Sequence, residues 1–456
     1  MLKNNGYAKF GIIVTLLLVG LVSILSVFYP ASSMMPLFLI LIPVIFIIAF
    51  TNTDFALIVL IFAMLLSPEI GLGGGIPGRN VVIRLDDIFL FIIFFGWLAK
   101  MAVNKEVGLL RVTFLNKPII FYVFICIVSS CLGALRGTTN PVHTIFYILK
   151  YIEYFIVFFM VSNNIKDKNQ VKLFTDLILL TCVIVCIYGS YLSLIKGVRA
   201  TAPFEGIGEA NTLAGYLIVM GGLVLGLFVY ASASFRKRFL LAGLFSLVLF
   251  TLIYTLSRSG WVGFGFMLVS FTFFSKRSRI FMIFAIVCGV LILPLVLPQR
   301  VYKRVDATFK GYKQYRIFGK LVTLDESTGA RIRSFEYSVK QWLKNPILGQ
   351  GVPGADVSDV QYGRILREVG IVGFLSFVWI IWMVFKTGLR SYFYSNMDGF
   401  GRGLSVGLIS ALVGLLIMGL GAEFFIIIRI MEPFWFLAAI VSVLPETNLV
   451  VETSPA

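Results

Sequence analysis

The chain has 456 residues, 59% of them hydrophobic and only 13% charged, with a mean hydropathy of +0.96. Soluble globular domains run nearer 45–50% apolar and about 25% charged, so these values exclude a soluble fold and call for the rules of the bilayer. The formal net charge is +17, but much of the Lys/Arg excess lies in short loops between apolar runs, where it sets topology. No nucleic-acid partner is expected.

Lys3 and Lys9 precede an apolar run over 10–28. That run is too long for a signal-peptide core, and more follow it, so it reads as a retained first helix. A crossing helix takes about 17–25 residues. By that gauge fourteen spans are predicted, at 10–28, 36–51, 53–69, 87–103, 118–135, 144–161, 173–195, 212–231, 239–256, 260–275, 279–297, 366–386, 402–421 and 429–446. Several are short. The fold class is therefore an all-α polytopic membrane protein with about 12–14 transmembrane helices. Residues 1–297 hold the first eleven spans and 298–365 form one long loop. The final spans cover 366–446, and 447–456 is a tail.

Basic loops mark the cytoplasmic side. NKEVGLLRVTFLNK (104–117), NNIKDKNQVK (163–172), RKR (236–238), SKRSR (275–279) and KTGLR (386–390) fall on one side in this count. Both termini are then cytoplasmic, in an inner membrane. The opposite side takes 67–87, 135–143, 196–211, the SRSG turn at 257–260, and 298–365. Those outer loops carry Arg79, Arg84, Arg136, Arg199, Arg258, Arg300, Lys303, Arg304, Arg331 and Arg333. Outer positive charge runs against the topology rule and asks for another reason. Arginine binds phosphate bidentately, so an anionic ligand is the sharp reading. Anchoring at the interface is the bland one.

Smaller signals are weighed in chain order. GLGGGIPGR (71–79) lacks the GK[ST] of a phosphate loop and reads as a flexible outer loop. Asp86 and Asp87 are expected to cap the helix they begin, with an acidic metal pair as the minor reading. His143, the only histidine, stands at a span entrance as a structural residue or a general base. Lys150 with Glu153, and Arg429 with Glu432, have the i, i+3 spacing of a local pair, or else they line a cavity. The five cysteines show no metal spacing and read as small apolar packing residues. In the long loop, STGARIRSFEYSVKQWLKNP predicts an amphipathic helix over 329–344. Ser327 or Thr328 is its expected cap, and Ile332, Phe335, Val339, Trp342 and Leu343 form its stripe.

Four segments, taken together, resemble the O-antigen ligase/polymerase superfamily of membrane glycosyltransferases. RATAPFEGIGEANTLAGYL (199–217) carries Arg199, Asn211 and Ala214. TLSRSGWVGF (255–264) carries the Ser-Arg-small turn with Arg258. TGARIRSFEYSVKQWLKNPILGQG (328–351) carries Arg331, Trp342, Pro346, Gly349 and Gly351. DVQYGRILREVGIVG (359–373) carries Tyr362 and Glu368 at the entry to a span. The resemblance covers roughly residues 196–385. Ligases of the family have a histidine at the start of the last motif. Here that position is Asp359, which fits the polymerase members better.

The resemblance implies glycan transfer from a polyisoprenyl diphosphate carrier to a sugar hydroxyl at the outer face. The expected catalytic residues are Arg199, Arg258 and Asp359, with Arg331, Arg333, Asn211, Tyr362 and Glu368 binding substrate. Arg199 and Arg258 would neutralise the leaving diphosphate, and Asp359 would act as the base. No cofactor and no metal is expected, because the carrier already holds the sugar activated. The expected partners are the lipid-linked glycan donor, a glycan acceptor, membrane lipids and other polysaccharide export proteins. Polymerisation of repeat units is the favoured activity. A ligase acting on lipid A-core or protein is the first alternative. The second is a transporter or flippase of lipid-linked sugars, which inverted repeats and broken helices would favour; the sequence does not display them.

Overall fold

The computed structural model describes residues 43, 45–76, 79–103, 110–205, 209–232, 234–275, 279–296, 299–309, 313–317, 320–353, 360–394 and 399–446. The predicted span 10–28, half of 36–51, the tail 447–456 and Asp359 lie outside them.

Each of the other twelve predicted spans coincides with a helix. These are α1 (Thr53–Leu66), α2 (Leu85–Val103), α3 (Asn116–Leu135), α4 (Pro141–Asn164), α5 (Lys168–Leu194), α6 (Ala210–Tyr230), α7 (Phe235–Tyr254), α8 (Arg258–Phe274) and α9 (Arg279–Val296). In the long loop follow α10 (Gln299–Phe309) and α11 (Glu326–Trp342), and then α12 (Gln361–Tyr394), α13 (Gly399–Met418) and α14 (Ile428–Val443). Seven of the described helices, α3 to α7, α12 and α13, are long and apolar enough to cross a membrane on their own length. The chain is a polytopic membrane protein.

Helix starts follow local chemistry. Asn140 accepts a hydrogen bond from Val142 N–H at 2.9 Å ahead of Pro141, which suits the first helical position of α4. Asp167 caps α5 by accepting from Gln170 N–H at 2.8 Å. Ser234 and Ser257 cap α7 and α8 in the same way.

At the centre lies α6, which has no charged residue and is buried along nearly its whole length. Its most extensive packing is on α13. Gly222 and Gly226 of α6 meet Gly407 and Gly403 of α13 so closely that a Cβ at Gly226 would stand 2.1 Å from the Gly403 carbonyl oxygen. Small residues four apart on both helices let the backbones touch, the usual route to helix association in lipid. Around this seam α8 packs on α13, α14 on α4, α12 on α3, and α1 on α2 and α5.

Two antiparallel hairpins depart from the all-helical expectation. β1 (Glu69–Ile76) pairs with β2 (Arg79–Arg84), where an open Gly-rich loop was expected. β3 (Lys313–Ile317) pairs with β4 (Lys320–Leu324) ahead of α11. Short strands escape a reading built on apolar runs. Their backbone groups pair with each other, which keeps them satisfied outside the hydrocarbon.

The loops assigned to the outer side touch one another. Arg300 Nη1 donates to Gly197 O at 2.9 Å, Arg429 reaches both Pro203 O and Ser67 O, and Thr138 Oγ1 donates to Gln350 O at 2.7 Å. They therefore gather at one end of the bundle. At the other end Arg111 binds Ser162 O, and Gln170 binds Asp54.

Candidate functional site

IYTLSRSG turns the chain from α7 into α8. Leu256 adopts φ +52°, the left-handed region that a leucine rarely enters. The turn is held by side chains. Thr255 Oγ1 accepts from Ser257 N–H at 3.2 Å, and Ser257 Oγ caps α8 by accepting from Gly260 N–H at 3.2 Å. Ser257 Oγ in turn donates to Asn211 Oδ1 at 2.7 Å. Asn211 thus braces the turn from α6. Arg258 is the first residue of α8, so its guanidinium adds to the positive end of a helix dipole.

Arg199 arrives at the same turn from the 195–205 loop. Its Nε donates to Thr255 O at 2.8 Å, and Ala200 N–H donates to Tyr254 O at 3.1 Å. These bonds occupy carbonyls at the end of α7 that would otherwise go unpaired. Arg304 of α10 joins the group. Burial and then the charge of Arg304 hold Arg199 below the usual arginine range. Arg304 is lowered by burial and by Arg258, with Asp325 acting the other way. Arg199, Arg258 and Arg304 are all half-buried.

Asp325 completes the corner. It precedes α11 and accepts from Arg258 Nη2 at 2.7 Å and from Thr328 N–H at 3.4 Å. Burial pushes its carboxyl up, but the hydrogen bonds from Arg258 and Thr328 win and bring it down to about 2. The helix therefore runs over Glu326–Trp342 with Asp325 as its cap, three residues ahead of the predicted start, in place of Ser327 or Thr328. α11 packs on α12, where Gly363 faces Phe335 and Ser338. Leu343, placed on the apolar stripe by its spacing, is 63% exposed.

Of the arginines on α11, Arg331 is turned towards the turn. A Cβ at Gly421 would lie 3.3 Å from Arg331 Nη1 and 3.2 Å from Ser259 Cβ, so all three share one corner. Arg333 lies on the exposed face, because two positions along a helix are about 200° apart. It stands apart from the place expected for it.

Two expected substrate-binding residues have internal partners. Tyr362 Oη donates to Leu416 O at 2.6 Å, tying α12 to α13. Glu368 is 1% exposed and accepts from Arg364 Nε at 2.8 Å and Tyr151 Oη at 3.3 Å, while Arg364 also pairs with Glu423. Just beyond, Gly370 breaks α12 at φ +65°. A Cβ there would meet the Ile347 carbonyl oxygen at 2.3 Å. The 346–351 segment fills the break. Gln350 and Gly351 donate to the carbonyls of Arg367 and Glu368, both at 2.9 Å, and Ile371 N–H donates to Pro346 O at 2.9 Å.

The local pairs expected in the spans are replaced by longer-range ones. Lys150 Nζ binds Asp87 Oδ2 at 3.1 Å, not Glu153. Arg429 pairs with Glu205 at 3.6 Å, not Glu432. Asp86 and Asp87 both turn back to Arg84, and Asp87, the third residue of α2, caps the helix start by reaching back to the N–H just before it, one half of a capping box. Asp87 accepts Arg84 N–H at 3.0 Å, and Asp86 takes the Arg84 guanidinium together with Ser67 Oγ. Helical spacing permits a local pair, but a packed neighbour carrying the opposite charge wins once both groups are buried. Among the described residues no three His, Cys, Asp or Glu side chains form a metal-ligand group.

Asp325 was missing from the residues the sequence singled out for the site, and Arg304 was named only among the outer basic residues, with no role in the site. Both left a trace. Asp-x-x-Thr before α11 is a capping pattern, and Arg304 lies one helical turn beyond Arg300 on the basic α10.

No curated protein matches the chain. A family model does, over residues 243–370, and its description is O-Antigen ligase. The matched stretch begins in α7, takes in the SRSG turn, α10 and α11, and ends at the Gly370 break of α12. The match over residues 243–370 makes this stretch similar to that family and supports a likeness to the O-antigen ligase/polymerase superfamily.

Proposed function

We propose that the chain is a membrane glycosyltransferase that polymerises lipid-linked oligosaccharide repeat units of an O-antigen, capsule or exopolysaccharide. It takes the glycan from a polyisoprenyl diphosphate at the outer face of the bacterial inner membrane. The observation that carries this reading is the meeting of Arg199, Arg258 and Arg304 around one helix N-terminus, with Arg199 lowered by burial and the charge of Arg304, and Arg304 by burial and the charge of Arg258. Guanidiniums held this way are relieved by an anion with several oxygens.

In the proposed reaction the acceptor hydroxyl oxygen attacks the anomeric carbon of the donor sugar. A new C–O bond forms as the C–O bond to the diphosphate breaks. The hydroxyl proton goes to Asp359, and the electron pair leaves with the diphosphate. Arg258 and Arg199 stabilise that growing negative charge, a role that preorganised donors fill well. Arg331 extends the cluster towards Ser259, and Asn211 keeps the turn in place.

The family description favours a second reading, transfer of finished polymer to lipid A-core or protein. The break in α12 is the kind of feature that would speak for a flippase. Here, however, its backbone groups are hydrogen-bonded to the 346–351 segment, which favours a structural break. Deleting the gene and sizing surface glycans separates the three. Single-repeat products support the polymerase. Full-length polymer retained on the carrier supports the ligase. Lipid-linked repeats trapped at the inner leaflet defeat both enzyme readings.

A further inference from the structure

The loop that carries Arg199 is gripped from two sides. On one side α7 holds it, through the carbonyls of Tyr254 and Thr255. On the other stands Arg429 of α14, 2% exposed, more than two hundred residues away in the chain. Its Nη1 donates to Pro203 O at 2.5 Å, its Nη2 to Ser67 O at 3.4 Å, and its Nε lies 3.6 Å from Glu205 Oε1. The other Glu205 oxygen accepts from Ala202 N–H at 3.1 Å, closing the loop on itself. Between Pro203 and Glu205, Phe204 sits at φ +63°. A non-glycine residue in that region is strained and persists only when its surroundings over-determine it. Arg429 grips the residue before it and the residue after it.

We propose that Arg429 is a positioning residue. Through Pro203 and Glu205 it holds the 199–205 loop in the conformation that presents the Arg199 guanidinium at the SRSG turn. This rests on the reading of the arginine cluster as a diphosphate site. Arg429 touches no substrate in this account. It acts through Arg199, and that makes a specific demand on non-additivity.

The test is a double-mutant cycle on the full-length protein in detergent, with inorganic pyrophosphate as the probe and calorimetry as the readout. Arg199→Gln should weaken binding by about 10–100-fold, the loss of one charge-assisted contact. Arg429→Gln should weaken it by roughly tenfold, and the double variant should bind no worse than Arg199→Gln alone. Arg429→Lys, which keeps a donor for Pro203 O but cannot reach three partners at once, should fall between wild type and Arg429→Gln. It also serves if the glutamine variant does not fold. Unchanged affinity in both Arg429 variants, or losses that multiply in the double variant, would overturn the proposal. If wild type itself binds no pyrophosphate, the diphosphate reading fails instead. Amide hydrogen exchange over 199–205 then decides the latch alone: faster exchange in Arg429→Lys supports it, and unchanged exchange removes it.

Discussion

Arg84, at the end of β2, and Arg199, in the 195–205 loop, lie at the same end of the bundle, yet their surroundings act on them in opposite directions. Burial lowers the pKa of both. For Arg84 the adjacent Asp86 and Asp87 more than reverse it, and the guanidinium is held above its ordinary range. For Arg199 the next charge is Arg304, and it ends below. An arginine surrounded by carboxylates is part of the scaffold. In the proposed reading, one whose neighbour is another arginine is kept ready for an anionic ligand. The same contrast separates the two regions as a whole. Lys150, Arg364 and Arg429 each pair with a buried carboxylate, whereas Arg199, Arg258 and Arg304 cluster at a half-buried corner with Asp325.

The sharpest way to break this contrast is to exchange the symptoms. Arg84→Gln leaves Asp86, fully buried, without its guanidinium. Removing one partner of a buried pair costs about 3–5 kcal/mol, so the melting temperature in detergent should drop by several degrees or the protein should fail to accumulate. A stable Arg84→Gln protein that has lost pyrophosphate binding would put Arg84 in the site and erase the distinction.

Arg258→Ala should do the reverse. Loss of one preorganised donor to a leaving group costs about 10²–10³ in rate, or roughly 2.7–4 kcal/mol. Glycan chain length in complemented cells should collapse towards single repeats, while the melting temperature moves little. Asp325 is only the resting partner of Arg258 in this view, so Asp325→Asn should lose far less activity. Equal losses in both variants would make the Arg258–Asp325 pair structural.

How much of this was legible in the sequence depends on the distance over which each signal acts. The twelve helices that coincide with predicted spans were readable because an apolar run of sufficient length admits one structure in a bilayer. Arg258 was readable because it interrupts such a run. The α6–α13 seam was not, although Gly222, Gly226, Gly403 and Gly407 are spaced four apart, because spacing does not say which helix is the partner. Lys150 and Arg429 were assigned the neighbours their helical spacing offered, and the structure gave them Asp87 and Glu205 from other elements. Glu368 carried a motif signal and stands at i, i+4 from Arg364, but only the fold reveals Tyr151 and Glu423 as the other members of the group.

Glu205 lies between the two regions, on the Arg199 loop but beside Arg429 and within reach of Arg84's charge. Burial, the largest influence, together with Glu209 raises its carboxyl to about 7, although Arg429, the Ala202 N–H and Arg84 pull it down. The folded protein therefore holds a proton that the unfolded chain releases near the ordinary value of 4.5. Between those two values the native state binds more protons, so this group makes stability fall as pH rises from about 4.5 to 7 and level off above. The gap corresponds to roughly 3 kcal/mol. Glu205→Gln should flatten that limb of a melting-temperature profile, and an unchanged slope would assign it to another group.

The smallest effect separates two arginines on one helix. Arg331 shares a corner with Ser259 and Gly421, while Arg333 faces outward on α11. An arginine near the diphosphate contributes charge at short range. An exposed one acts across water, screened within about 8 Å at physiological salt. Arg331→Gln should therefore weaken pyrophosphate binding by several-fold, on the order of 1 kcal/mol, and Arg333→Gln by less than about twofold. The Arg333 effect should also vanish in high salt, because only screened charge is involved. If Arg333→Gln proves the more damaging of the two, and does so independently of salt, the ligand approaches over the outer face of α11 and not through the corner beneath it.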